Sequence, residues 1–294
     1  MMRRVRLRVR TLLALGFPSL CRVAAYRVCC RTGIYRMRMP IHYWHGSGSF
    51  FPIETFTPAP ANVQESSTAT MAQAEAALQG RLVYYSHMIQ QVGAPPDWFL
   101  DPINHERHLV STHWSQLNEF SGADIKNIWE ASRFEWLTLF ARAWRYSGDE
   151  RYLSVMSSWL ADWLENNPVN SGPNWKCGQE ASIRLINLLL SARLLGCHQA
   201  PNQQLIDCVA LHCKRIVPTL GYAVGQDNNH GTSEAAALYI GGGWIKSVTS
   251  DTQLQRTACK WQMRGRLLLE DRIWQLVATD GSFSQYSSNY HMVL

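Results

Sequence analysis

Between Asp124 and Val277 apolar residues recur at steps of three and four, and short polar breaks divide the run into helix-length segments. Ile128, Phe134, Leu137, Phe140, Ala141 and Trp144 form one stripe over Asp124–Tyr146, which ends at Ser147-Gly148-Asp149, a C-cap followed by the next N-cap. A returning helix is expected over Glu150–Glu165, closed by Asn166-Asn167-Pro168. Further helices are expected over Cys177–Leu195, Gln203–Val217, Thr232–Ile240 and Asp251–Val277, with Gly221–Asp227 as a loop. Upstream the pattern is weaker. Met71–Gln91 is helix-prone, Gly93–Asn104 is an irregular connection, and His108–Leu117 fits a short strand or a helix. Residues 41–70 are rich in Pro, Ser, Thr and Gly and read as a linker.

A repeat runs through the helical part. Polar motifs stand near the start of every second helix: Trp129-Glu130 with Arg133, Glu180 with Arg184, and Asn229-His230 with Glu234. Glu130 to Glu180 is 50 residues, and Glu180 to His230 is 50 again. Such a period describes antiparallel helical hairpins stacked in sequence. Closed into a ring, they would put alternate helices inside, with their N-terminal ends on one face of a central cavity. An open solenoid of the same hairpins is the alternative.

Charge adds an uneven detail. The first forty residues hold ten Arg and no acid, which leaves 18 basic against 22 acidic residues in the remainder, a net of −4. Overall charge therefore gives no argument for a polyanionic partner, nucleic acid included, and anion binding must be local. Residues 1–40 are expected to be an Arg-rich, partly helical arm that packs on the domain or touches anionic surfaces. A cleaved secretory signal, with Arg3–Arg10 as its basic region and Val23-Ala24-Ala25 near the cut, is weakened by Arg22 and by the Arg spacing up to Arg38. An Arg-rich transit peptide fits less well. The apolar piece Leu12–Leu20 is too short to span a bilayer, so no transmembrane segment is expected. Eight Cys show no CxxC pattern, and Cys197, Cys208, Cys213 and Cys259 read as small buried hydrophobes. Twelve Trp suit sugar stacking or, more simply, helix packing.

Four constellations carry candidate chemistry. Lys126, Glu130 and Arg133 share a helix face and Trp129 stands within the same turn, as a lined cleft or as an ordinary surface ion pair. Glu180 and Arg184, after Asn174-Trp175-Lys176-Cys177, either present a guanidinium to a substrate carboxylate or satisfy each other between helices. Asp227-Asn228-Asn229-His230-Gly231 is more polar than a helix cap needs, and a helix start favours an anion. Asp280-Gly281-Ser282 opens a turn leading to Tyr286, Tyr290 and His291, which is either a proton-exchanging element or a Ser-rich loop with aromatic anchors.

Together, Asp124-x-Lys126-x-x-Trp129-Glu130-x-Ser132-Arg133, Trp175-x-x-Gly178-x-Glu180-x-x-x-Arg184, Asn229-His230-Gly231 and Asp280-Gly281-Ser282 through Tyr290-His291 resemble the heparinase II/III family of polysaccharide lyases, over about residues 95 to 294. The resemblance implies an all-α fold, an (α/α) toroid followed in the family by a β-sandwich, and β-elimination on uronate-containing chains such as heparan sulfate or alginate. By resemblance Asn229 neutralises the uronate carboxylate, His230 binds that carboxylate or takes the C5 proton, and Tyr290 is the acid/base. Trp129, Glu130, Arg133, Trp175, Glu180, Arg184, Asn228, Tyr286 and His291 would meet substrate. Met292 departs from the family, where Arg often follows the Tyr-His pair.

Because the sequence stops at Leu294, directly after this motif, residues 71–294 are expected to be an incomplete toroid without the sandwich. The divalent metal of many relatives belongs to that missing part, so no cofactor is expected in this chain. The partner implied is an acidic polysaccharide or oligosaccharide. The location implied is the periplasm or envelope of a Gram-negative-type bacterium, with the cytoplasm as alternative. Two other functions compete: a non-catalytic carbohydrate-binding remnant, and an inverting glycoside hydrolase using Glu130 and Glu180 as opposed carboxylates.

Overall fold

The computed structural model describes residues 2–46, 48–52, 65–108, 111–117 and 124–284, with side chains from residue 16 onward and excluding those of 65–66. Its order is α1 (Met2–Arg31), α2 (Ile34–Arg38), α3 (Glu65–Leu78), β1 (Arg81–Tyr84), β2 (Met88–Gln91), β3 (Leu100–Asp101), β4 (Glu106–Arg107), α4 (Lys126–Ser132), α5 (Glu135–Ser147) and α6 (Arg151–Asn166). Then follow α7 (Gly178–Leu194), α8 (Gln203–Ile216), α9 (Leu220–Gly225), α10 (Asn229–Val248) and α11 (Thr252–Leu276). The strands make two small antiparallel hairpins, β1–β2 and β3–β4, so the fold is all-α in character.

The helical hairpins α5–α6, α7–α8 and α10–α11 follow the fifty-residue repeat. α5, α7 and α10 pack side by side as the inner row, and α6, α8 and α11 each return against their own partner or its neighbour. Caps fix the turns between them. Asn202 accepts the Leu205 N–H at 3.0 Å, and Asp251 accepts those of Gln253 and Leu254 at 2.8 and 3.2 Å. Gly148 closes α5 in the left-handed conformation its missing Cβ permits. α10 and α11 approach most closely. A Cβ on Gly265 would lie 2.4 Å from the Tyr239 backbone nitrogen, and one on Gly242 would lie 2.7 Å from the Ala258 carbonyl.

Three expectations about elements and one about a cysteine are corrected. The helix-prone run Met71–Gln91 stops at Leu78; Gly80 takes a left-handed turn, and alternation in Arg81-Leu82-Val83-Tyr84 favours a strand. The single stripe over Asp124–Tyr146 is two helices, broken at Phe134, whose φ of 65° is left-handed. Its ring meets Trp163 edge to face at 4.8 Å and is fully buried, so packing holds a backbone that its propensity disfavours. Gly221–Asp227 is largely the short helix α9. Cys259 is exposed on α11, whereas Cys197, Cys208 and Cys213 are buried.

The core is aromatic. Trp136, Trp144, Trp159, Trp163 and Trp175 are buried between the hairpins, which makes helix packing the use of most Trp. The basic arm is built into this body. α1 packs on α9, and Tyr26 stacks face to face on Tyr222 at 3.8 Å. No helix among the described residues is long and apolar enough to cross a membrane.

Candidate functional site

The C-terminal end of α4, just ahead of α5, and the starts of α7 and α10 converge on one cavity of 1180 Å³. Its wall includes Trp129, Glu130, Arg133, Glu180, Asn228, Asn229 and His230, so seven of the sequence-selected residues meet although they span a hundred positions. The inner-row packing explains this: three consecutive hairpins present the same end to the same space.

Arg133 organises one wall. Its Nε and Nη2 donate to the two carboxylate oxygens of Glu180, both at 2.9 Å, and Nη1 donates to Glu130. Glu130 also accepts the Tyr85 N–H at 2.8 Å, which ties the β1–β2 turn to α4. Burial works against the charged guanidinium, but the carboxylates, Glu180 first, outweigh it and hold its pKa above the ordinary value. Because Glu130 and Glu180 clamp one arginine, neither stands as the separate acid or base that an inverting hydrolase requires.

A second wall forms where α10 begins. Asn228 is the N-cap and accepts the His230 N–H at 3.0 Å; Asn229 is buried behind it. His230 Nδ1 lies 3.9 Å from both Cys177 Sγ and Glu234 Oε1. Glu234 lines the cavity yet is nearly fully buried, and its Oε2 has no hydrogen-bond partner among the described residues. Burial, then the neighbouring Cys177, raises its pKa to about 8, while burial raises the Cys177 thiol to about 11. Just below, Asp227, at φ 48°, accepts from Arg272 Nη1 at 2.7 Å, which fixes the turn into α10.

Two expected substrate contacts are corrected. Trp175 is fully buried and donates its indole N–H to the Asn167 carbonyl at 3.0 Å. Arg184 is fully buried as well, and the guanidinium stacks over Trp163 and Trp175 at 4.9 and 5.2 Å from their ring centres. It donates to His212 Nε2 at 3.1 Å and to the Asn174 carbonyl at 2.8 Å, so it braces α7 to α8 rather than facing the cavity. Burial lowers its pKa to about 9 and that of His212 to about 3, so the imidazole is a neutral acceptor. Tyr286, Tyr290 and His291 lie outside the described residues.

Sequence reasoning missed several wall residues. Tyr85 reaches the cavity from a hairpin read as helix, and Tyr26 reaches it from the arm. Positive φ at Tyr85 and Ser86 marks a turn that no Gly or Asn announced. Among the described residues no group of three or more His, Cys, Asp or Glu is arranged to hold a metal ion.

Comparison with known proteins agrees with this architecture. Residues 54–294 match the family model described as Heparinase II/III N-terminus. A heparin-sulfate lyase of Bacteroides thetaiotaomicron is 24% identical over 181 residues, covering 59% of this chain and 25% of the lyase. A solved heparinase III structure with methylated lysines superposes with a TM-score of 0.53 at 18% identity, over 97% of this chain and 43% of that one. At that identity the likeness concerns the fold, the helical toroid. The chain spans a quarter of the length of the curated relative and less than half of the solved one. With 54–294 matched by its model, the chain belongs to the heparinase II/III N-terminus family.

Proposed function

We propose that this chain carries the helical part of a polysaccharide lyase that cleaves uronate-containing chains, of the heparan sulfate or alginate type, by β-elimination. The observation that carries the reading is the juxtaposition of Asn229 and His230, at the N-terminus of a twenty-residue helix, with the Glu130–Arg133–Glu180 network in one cavity. The C5 proton of a uronate is only weakly acidic while the adjacent carboxylate keeps its full charge. A helix N-terminus with Asn and His side chains supplies donors where that charge accumulates in the enolate-like transition state. Tyr290, by family resemblance, would protonate the departing O4. Arg133, its charge more than offset by two carboxylates, keeps the wall rigid.

The test is the ultraviolet absorbance of a new C4=C5 double bond when heparan sulfate, alginate or hyaluronan is added. The expected result is growing absorbance with at least one of them, reduced about 10²-fold or more by Asn229→Ala. Folded protein giving no unsaturated product with any of the three would overturn the reading. Binding without product would favour a carbohydrate-binding role, and reducing ends without unsaturation a hydrolase.

A further inference from the structure

His230 has two open roles in a lyase, donor to the substrate carboxylate or base toward the C5 proton, and its neighbours distinguish them. We propose that Glu234 is a positioning residue: its neutral carboxyl offers its proton to His230 Nδ1 and fixes the imidazole with Nε2–H as a donor toward the cavity. The inference rests on the lyase reading for its functional meaning, whereas the contact it assigns to Glu234 can be read out without substrate.

Glu234 lies one helical turn beyond His230, with Oε1 3.9 Å from Nδ1. That is about 0.7 Å beyond hydrogen-bond range, a gap of the kind that closes when substrate tightens a site. The carboxyl sits directly over Gly178 at the start of α7, where a Cβ would lie 2.6 Å from Oε1. Only glycine lets the helix start cover it this closely, and the cover keeps water away. An ionised carboxylate here would be buried with Oε2 unpaired, a costly arrangement.

No neighbour supplies the missing compensation. Besides His230 itself, the group that favours the ionised form of Glu234 is Arg215 on α8, which already donates to the carbonyls of Trp175 and Lys176, both at 2.7 Å, and to Thr219 Oγ1 at 2.9 Å. Arg272 on α11 is committed to Asp227 and Asp271, and Glu180 on α7 to Arg133. Cys177, whose Sγ at 3.9 Å is within reach of a sulfur hydrogen bond to the same Nδ1, stays a thiol because burial raises its pKa. The neutral form of Glu234 persists to about pH 8. A neutral carboxyl keeps an acceptor oxygen beside its O–H donor; with the O–H turned to Nδ1, as proposed, Nδ1 accepts and the ring proton is left on Nε2. His230 then binds and neutralises the uronate carboxylate, and the C5 proton goes to a different group.

The experiment is nitrogen NMR of the labelled His230 imidazole in the full chain, with Glu234→Gln and Glu234→Leu beside the wild type. At pH 7 the wild type is expected to show a bare Nδ1 and a protonated Nε2. The proton moves to Nδ1 as pH passes about 8 and Glu234 becomes an acceptor. Glu234→Gln, which can still donate, keeps the Nε2–H form across that range. Either a protonated Nδ1 in the wild type at pH 7, or a His230 spectrum unchanged in both variants, overturns the proposal. If Glu234→Leu does not fold, the Gln variant alone decides through the lost pH transition. In lyase assays kcat falls about 10²-fold in Glu234→Leu and only a few-fold in Glu234→Gln. If no polysaccharide yields product, the lyase reading fails while the tautomer still decides the positioning role.

Discussion

Arg133 and Glu234 line the same cavity, each at the inner end of a hairpin, and differ in how far the protein has completed their surroundings. Arg133 meets two carboxylates, one of them through both oxygens, and every group in that network has a partner. Glu234 is more deeply buried, and its outer oxygen has no partner among the described residues. Completed networks fix geometry: Arg133 joins α4 to α7, and through Glu130 it holds the β1–β2 turn. An uncompleted polar group in the same low-dielectric space is a standing cost to stability. Such a cost is tolerated where the group has chemical work, as the proposed positioning of His230 would supply.

Breaking the completed side should give the largest effect. Arg133→Leu leaves Glu130 and Glu180 facing each other, largely buried and without their cation. A loss of about 3–5 kcal/mol in unfolding free energy is expected, read from urea denaturation followed by Trp fluorescence. A loss below about 1 kcal/mol would mean that the network is surface decoration and that the contrast with Glu234 is false.

The uncompleted side should respond to pH instead. Glu234 has a folded-state pKa raised from 4.5 to about 8, so its folded form holds a proton that the unfolded chain releases earlier. Its contribution to stability is therefore full below about pH 4.5, falls as pH rises toward 8, and is flat above. Glu234→Gln removes this slope. The difference between variant and wild-type unfolding free energies should widen by on the order of 4 kcal/mol from pH 5 to pH 9. Parallel pH profiles for the two proteins would show that Glu234 is ionised or solvated in the folded state.

The contrast also explains what the sequence could reveal. Helical hairpins were readable because Phe140, Ala141 and Trp144 keep a 3.6-residue rhythm, and the fifty-residue spacing of Glu130, Glu180 and His230 carried their convergence. What spacing cannot report is which way a side chain turns. Glu130-x-x-Arg133 and Glu180-x-x-x-Arg184 look alike in sequence. Yet Arg133 looks into the cavity, while Arg184 turns into a box of Trp163, Trp175 and His212. The one-residue difference in spacing rotates the arginine by roughly 100° around a helix axis. Long-range pairings such as Tyr26 on Tyr222, or Tyr85 on Glu130, left no local signal to read.

The smallest expected effect separates helix capping from substrate contact at the start of α10. Asn228 both caps the helix, by accepting the His230 N–H, and lines the cavity. Asn228→Ala removes the cap and should cost about 1 kcal/mol. Asn228→Ser restores an acceptor at the cap position and should recover most of that stability, yet its shorter side chain lacks the amide. If Asn228 only caps, Ser also restores the His230 imidazole spectrum and the KM for whichever polysaccharide is cleaved. If its amide meets the sugar, stability returns and KM stays raised several-fold. A Ser variant that recovers neither would mean that α10 starts correctly only with the full amide. The donors proposed at that helix start would then depend on a more demanding loop than a simple cap, which separates this wall further from the self-sufficient network around Arg133.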